Sequence, residues 1–236
     1  MCRKLQCGAL LFAVTLLVAA DAPWVTKRIP DWNANDASQI LWDSPWVRLA
    51  APAVGAGLSA YQRREGGDMG AQGGGSGAGV AAVLMGEAGS PMSYKRDLTE
   101  LARSGKLQIR WESALPIRAA EMKANENGAP VLDGDEYAIA VYAVALKVAV
   151  LEPKNLEETL RKAATLKIEG RKEAKPSRVA VMQPGGGIAT VVYLFPRSLN
   201  ITVQDERVEF SAVIGRIGVA QYFYPNQMQF NGKLEL

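Results

Sequence analysis

The sequence predicts an α+β fold, with a mainly antiparallel sheet carrying two to three helices on one face. Two observations lead there. The last third of the chain is a series of short β-rich runs separated by glycine turns, and short links between strands imply antiparallel pairing. Ahead of it lie three segments with helical spacing, each of which must bury an apolar stripe against another layer. A glycine-rich stretch at 55–92 sets these apart from a tryptophan-dense segment at 21–54. The expected organisation is therefore a signal at 1–20, a short helical Trp segment, a flexible linker, and an α+β domain at 93–236.

The first twenty residues have the form of an export signal. Arg3 and Lys4 make a positive start, an apolar run extends from Leu10 to Val18, and Val18-Ala19-Ala20 offers small residues for cleavage before Asp21. The run falls short of the roughly 20 apolar residues of a membrane span, which favours cleavage over an uncleaved anchor. The expected location is secreted or periplasmic, with no transmembrane segment after cleavage. Cys7 precedes the apolar run, which argues against lipidation.

Both cysteines, Cys2 and Cys7, fall inside the signal, and the chain has no His. A mature chain so composed lacks imidazole bases, thiolates and His- or Cys-based zinc sites. No catalytic residue, metal or cofactor is implied. Loss of Arg3 and Lys4 brings the basic residues from 27 to 25 against 24 acidic ones, a formal charge of +1. That balance carries no nucleic-acid footprint.

Along the mature chain, Asn33 or Asn35 caps a helix running through Ile40 and Leu41 to Trp42. Ser44-Pro45 ends it, and Ser44 is placed to cap a second short helix with Pro45 at its first position. Twelve of the 23 glycines lie between Gly55 and Gly89, with few large apolar side chains to offset the entropy of ordering them. That stretch is a flexible or disordered linker; a phosphate-binding loop would need Gly-Lys-Ser/Thr opening a helix. Ser93 to Ser104 is helical, with Gly105 as the stop.

Leu107, Ile109 and Trp111 alternate with Gln108, Arg110 and Glu112, the pattern of a half-buried strand. Pro116 opens a short helix through Met122 that fades at Asn125. The Val, Ile and Tyr content of 137–144 favours a central strand. Asn155-Leu156-Glu157-Glu158 has the form of a capping box ahead of a helix. Val179 to Val181 and Ile188 to Phe195 flank a Pro184-Gly185-Gly186-Gly187 hairpin turn. Val208 to Phe210 and Ile217 to Phe223 turn at Gly215, and Asn231-Gly232 is a last turn or bulge.

Several short motifs recur together: Ser44-Pro45-Trp46, the glycine-rich linker, Ile109 to Pro116, Leu194-Phe195-Pro196-Arg197 and the closing Gly232-Lys233-Leu234-Glu235-Leu236. In these the chain resembles a family of uncharacterised exported proteins associated with acidobacterial genomes. The resemblance spans most of the mature chain. It implies export and a single fold, and carries over no activity or catalytic residue.

The candidate contact residues are Trp42, Trp46, Trp111 and Arg197. Indole rings stack on sugars and anchor protein interfaces. The competing role for Trp42 and Trp46 is to dock their segment onto the sheet domain, and the slow growth of loop-closure entropy favours it. Glu112 and the Asp133-Gly134-Asp135-Glu136 turn supply acid/base groups for glycoside hydrolysis if a cleft sets them about 5 to 9 Å apart. The bland reading of that turn is a polar bend opening a strand. Arg161 to Arg178 holds seven basic residues against Glu169 and Glu173, either an anion-binding patch or a solvated helix end. The function expected is that of an exported, non-enzymatic binding or envelope-associated module whose partner is an unknown protein or glycan. The alternative is a carboxylate-based hydrolase or carbohydrate-binding protein.

Overall fold

The computed structural model describes residues 22–54, 98–126, 129–132, 134–151 and 155–236. The signal at 1–20, the linker at 55–92, the helix start at Ser93 and Asp133 lie outside the described residues.

A helical turn α1 (Pro23–Thr26) precedes α2 (Ala34–Asp43). Asn33 caps α2 by accepting from the Asp36 amide at 2.9 Å, and Asp36 returns the bond to the Asn33 amide. Asp36 also takes Lys27 at 2.7 Å. The second short helix expected at Ser44-Pro45 does not form. The chain turns there, with the Val47 amide donating to Ser44 O, and enters strand β1 (Val47–Ala50). Pairing along β1 satisfies more backbone groups than one isolated helical turn would. A two-residue strand β2 (Ala53–Val54) follows.

After α3 (Leu98–Arg103) come β3 (Leu107–Trp111), α4 (Leu115–Ala124), β4 (Glu136–Ala145), a helical turn α5 (Leu146–Ala149) and α6 (Leu156–Lys162). The capping box expected at Asn155 is absent. Asn155 sits in the left-handed region at φ 56° and its side chain makes no cap bond. The chain then runs as β5 (Ala164–Ile168), β6 (Arg178–Gly185), β7 (Ile188–Pro196), β8 (Val208–Ile214), β9 (Ile217–Phe223), β10 (Gln229–Phe230) and β11 (Lys233–Leu234).

The fold is α+β and mostly antiparallel sheet. Its strands divide into a five-stranded sheet, β1-β3-β4-β7-β6, a four-stranded sheet, β2-β9-β8-β5, and the β10-β11 ribbon. The Trp segment belongs to both large sheets, since β1 pairs with β3 and β2 with β9. The main core unites Ile109, Trp111 and Tyr193 of the larger sheet with Phe210 and Phe223 of the smaller and with Ile40 and Ile117 of the helices. A small second cluster on the other face of the larger sheet joins Ala138, Ala140, Tyr142, Val192 and Leu194, with Leu98 of α3 against it.

Two turns show why glycine stands where it does. Gly186 and Gly187, at φ 64° and 74°, make the two-residue link of the β6-β7 hairpin, where both positions need positive φ. Gly215, at φ +60°, turns β8 into β9 against the Ala149 carbonyl. A Cβ there would lie 1.8 Å from that oxygen.

Candidate functional site

Strand β3 is not half-buried; all five of its residues are buried. Only Ser113 and Ala114 separate Glu112 from α4, so the helix folds back beside the strand it follows. Gln108, Arg110 and Glu112 are buried there with Glu121 of α4 and Tyr142 of β4, and Arg118 of α4 and Glu126 beyond it stand partly exposed at the edge of the group.

The cluster is a chain of directed bonds. Gln108 Nε2 donates to the Leu41 carbonyl at the end of α2 (2.8 Å), and its Oε1 accepts from Arg110 Nε (2.8 Å). Arg110 Nη1 lies 3.0 Å from Glu126, and its guanidinium stacks 4.4 Å over the Tyr142 ring. Arg118 Nη1 donates to Glu121 Oε2 (2.9 Å) and to the Pro130 carbonyl (2.7 Å), but stays 3.8 Å from Glu112. Both Glu112 oxygens, Glu121 Oε1 and the Tyr142 hydroxyl are buried without a hydrogen-bond partner.

These surroundings set the titration. Burial pushes the Glu121 carboxyl up to about 10; the adjoining Glu112 carboxyl adds to the rise, while Arg110 and Arg118 oppose it. Burial, then the Glu112 charge, holds the Tyr142 phenol well above its ordinary value. Burial alone would lower Arg110, but Tyr142 and the surrounding carboxylates outweigh it and its pKa is raised. The acid chemistry expected of Glu112 is therefore sealed within the fold.

The other candidates separate cleanly. Trp46 and Trp111 were candidate contact residues, yet both have 0% of their surface exposed. Trp46 donates to the Glu235 carbonyl at 2.7 Å and meets Trp24 edge-on; Trp111 packs edge-on against Phe223 and Tyr137. Neither can meet a partner, because each ring fills the core that joins the Trp segment to the sheets. Trp42 is half-buried against the same core. Arg197 reaches the surface but is occupied, pairing with Asp135 at 3.1 Å and stacking 4.3 Å over Tyr137. Glu136 is bonded by Ser177 and Arg178, so the turn around Gly134 faces those residues and not Glu112.

The basic run is largely tied down as well. Lys162 pairs with Glu158 at 2.6 Å, Arg171 with Asp205 at 2.6 Å, Arg178 with Glu136 at 2.9 Å, and Lys175 donates to the Lys162 carbonyl. Arg171 and Lys175 thereby fasten the loop between β5 and β6.

Two surface recesses stand out among the described residues. One of about 490 Å³ lies between α6 and edge strand β6, lined by Glu157, Glu158, Arg161, Ser177, Arg178 and Val179 among others. The second, about 200 Å³, opens on the outer face of the four-stranded sheet. There Lys167, Glu209 and Tyr222 stand side by side on β5, β8 and β9, as the register requires. Tyr222 is 41% exposed, with Arg207 stacked 5.1 Å over its ring and itself paired with Glu169 at 3.0 Å. No salt bridge closes on Lys167 or Glu209 among the described residues. Sequence reading passed over this row. Its signal was the alternation Val208, Phe210, Ala212 inward against Glu209, Ser211, Val213 outward.

Among the described residues no group of three or more Asp, Glu, His or Cys is arranged to hold a metal ion, and no helix is long and apolar enough to cross a membrane. Comparison of the chain with protein families, with curated proteins and with solved structures gives no match.

Proposed function

We propose that this chain is an exported, non-enzymatic binding module of the cell envelope, and that its partner is a glycan held on the outer face of the four-stranded sheet. The leader with Arg3, Lys4 and the Leu10 to Val18 run supports export. The row Lys167–Glu209–Tyr222 carries the binding assignment. It sets a half-exposed aromatic body beside a cation and a carboxylate that no internal salt bridge consumes. A sugar ring asks for that combination, an apolar face to stack on and charged groups to hydrogen-bond its hydroxyls. The recess is smaller than the roughly 300 Å³ of a drug-sized site, which suits one ring of a polymer. A sheet face also needs no ordering on binding, so little entropy opposes capture.

Retention of the mature protein on immobilised envelope polysaccharide tests this reading. Tyr222→Ala at unchanged thermal stability is expected to lose retention at least tenfold. Undiminished retention in Tyr222→Ala, with loss in Arg161→Glu, would move the site to the recess beside α6. Release of shortened glycan by the wild type would overturn the non-enzymatic assignment.

A further inference from the structure

Two guanidiniums, Arg110 and Arg118, face three carboxyls, Glu112, Glu121 and Glu126, around Tyr142. With every carboxyl ionised the cluster would hold an unbalanced negative charge, and both Glu112 oxygens would lack a donor at 0% exposure. An unpaired buried carboxylate is among the costliest groups a fold can hold. One proton restores the charge balance and gives one of the two Glu112 oxygens a donor.

We propose that Glu112 and Glu121 share a single proton inside the cluster between α4 and β3, forming a neutral lock that holds the helix on the sheet. The geometry names the oxygen that carries it. Glu121 Oε2 is already an acceptor for Arg118 at 2.9 Å, whereas Glu121 Oε1 has no donor and stands 3.7 Å from Arg110. The Glu112 and Glu121 carboxyls lie in hydrogen-bonding reach of each other, so a hydrogen on Oε1 would satisfy one orphaned atom on each side. The remaining charges then balance, Arg110 against Glu126 and Arg118 against the shared pair. The groups facing the pair are Arg110 of β3, Arg118 of α4, Glu126 past its end and Tyr142 of β4, and the burial that raises Glu121 acts in the same direction.

The test is a titration of the mature protein with ¹³C-labelled glutamate side chains, together with the melting temperatures of three variants. One cluster carboxyl is expected to keep its proton through neutral pH and to lose that signal in Glu121→Gln. Glutamine supplies both a donor and an acceptor, so neither Glu112→Gln nor Glu121→Gln is expected to lower Tm by more than about 3 °C at neutral pH. The double variant leaves two guanidiniums facing one carboxylate and is expected to fall by clearly more than the two single changes added. Ionisation of all cluster carboxyls below about pH 6 would overturn the proposal. So would single variants that each lose several degrees and add in the double. Should a variant fail to fold, the wild-type titration decides alone.

Discussion

Single residues carry much of this architecture, and four of them give direct expectations. Asn33 satisfies the first turn of α2 through its bond from the Asp36 amide, so Asn33→Ala is expected to cost about 1 kcal/mol in chemical denaturation. Asp36 is held below its ordinary value; burial works against this, but the Asn33 backbone bond and Lys27 prevail. Its contribution is therefore present above the ordinary carboxylate range and lost as the pH falls. Glu121 has the opposite sign. In the unfolded chain it ionises near 4.5, while in the fold it keeps its proton to about 10. The native state binds more protons across that window, so stability falls as pH rises from about 4.5 toward 10 and is fullest below it. Glu121→Gln is expected to flatten this pH dependence in denaturant titrations at several pH values. Gly215→Ala brings a methyl against the Ala149 carbonyl in a left-handed turn, and a loss of about 2 kcal/mol or more is expected, read as a shift in the denaturant midpoint.

At the scale of elements, the pairing of α4 with β3 is the joint to challenge. Arg110→Ala takes the cation from beside buried Glu121 and the bonding partner from buried Gln108 and half-buried Glu126, and a loss of about 3–5 kcal/mol is expected. Arg110→Met, similar in length and apolar, is expected to cost less if Glu126 swings to solvent. The Trp46 ring plays the matching part for the Trp segment, since it ties β1 to the C-terminal end through Glu235. Trp46→Ala is expected to cost about 3–5 kcal/mol and to lower Tm, where Trp42→Ala costs less because that ring is only half-buried.

Much of this was legible in the sequence. Asn33 ahead of the Ile40-Leu41 stripe, the strand centred on 137–144 and the hairpin glycines all act locally, through caps, β-branching and positive φ. What the sequence withheld is non-local. The alternation of Gln108, Arg110 and Glu112 specifies a polar strand face, and only the packing of α2, α3 and α4 around it decides that this face is closed. Arg118 and Glu121, three apart on α4, were the available sign that it had partners of its own. In the same way the tryptophan spacing marks an adhesive segment, but which surface it adheres to depends on β1 finding β3.

For the whole molecule, the charged and aromatic groups that invite a catalytic or contact reading are mostly turned inward. Glu112 is buried in a charged cluster, Trp46 and Trp111 fill the core, and Lys162, Arg171, Lys175 and Arg178 of the basic run are fastened to neighbouring carboxylates and carbonyls. The outer face of the smaller sheet is where an aromatic ring and unspent charges meet solvent on a rigid surface. Hydrogen–deuterium exchange of the mature protein, with and without saturating envelope polysaccharide, tests that assignment most directly. Added protection is expected at 165–169, 207–211 and 220–224, with the α6–β6 recess unchanged. Protection confined to 157–162 and 177–180, or centred on 112–126, would contradict the account.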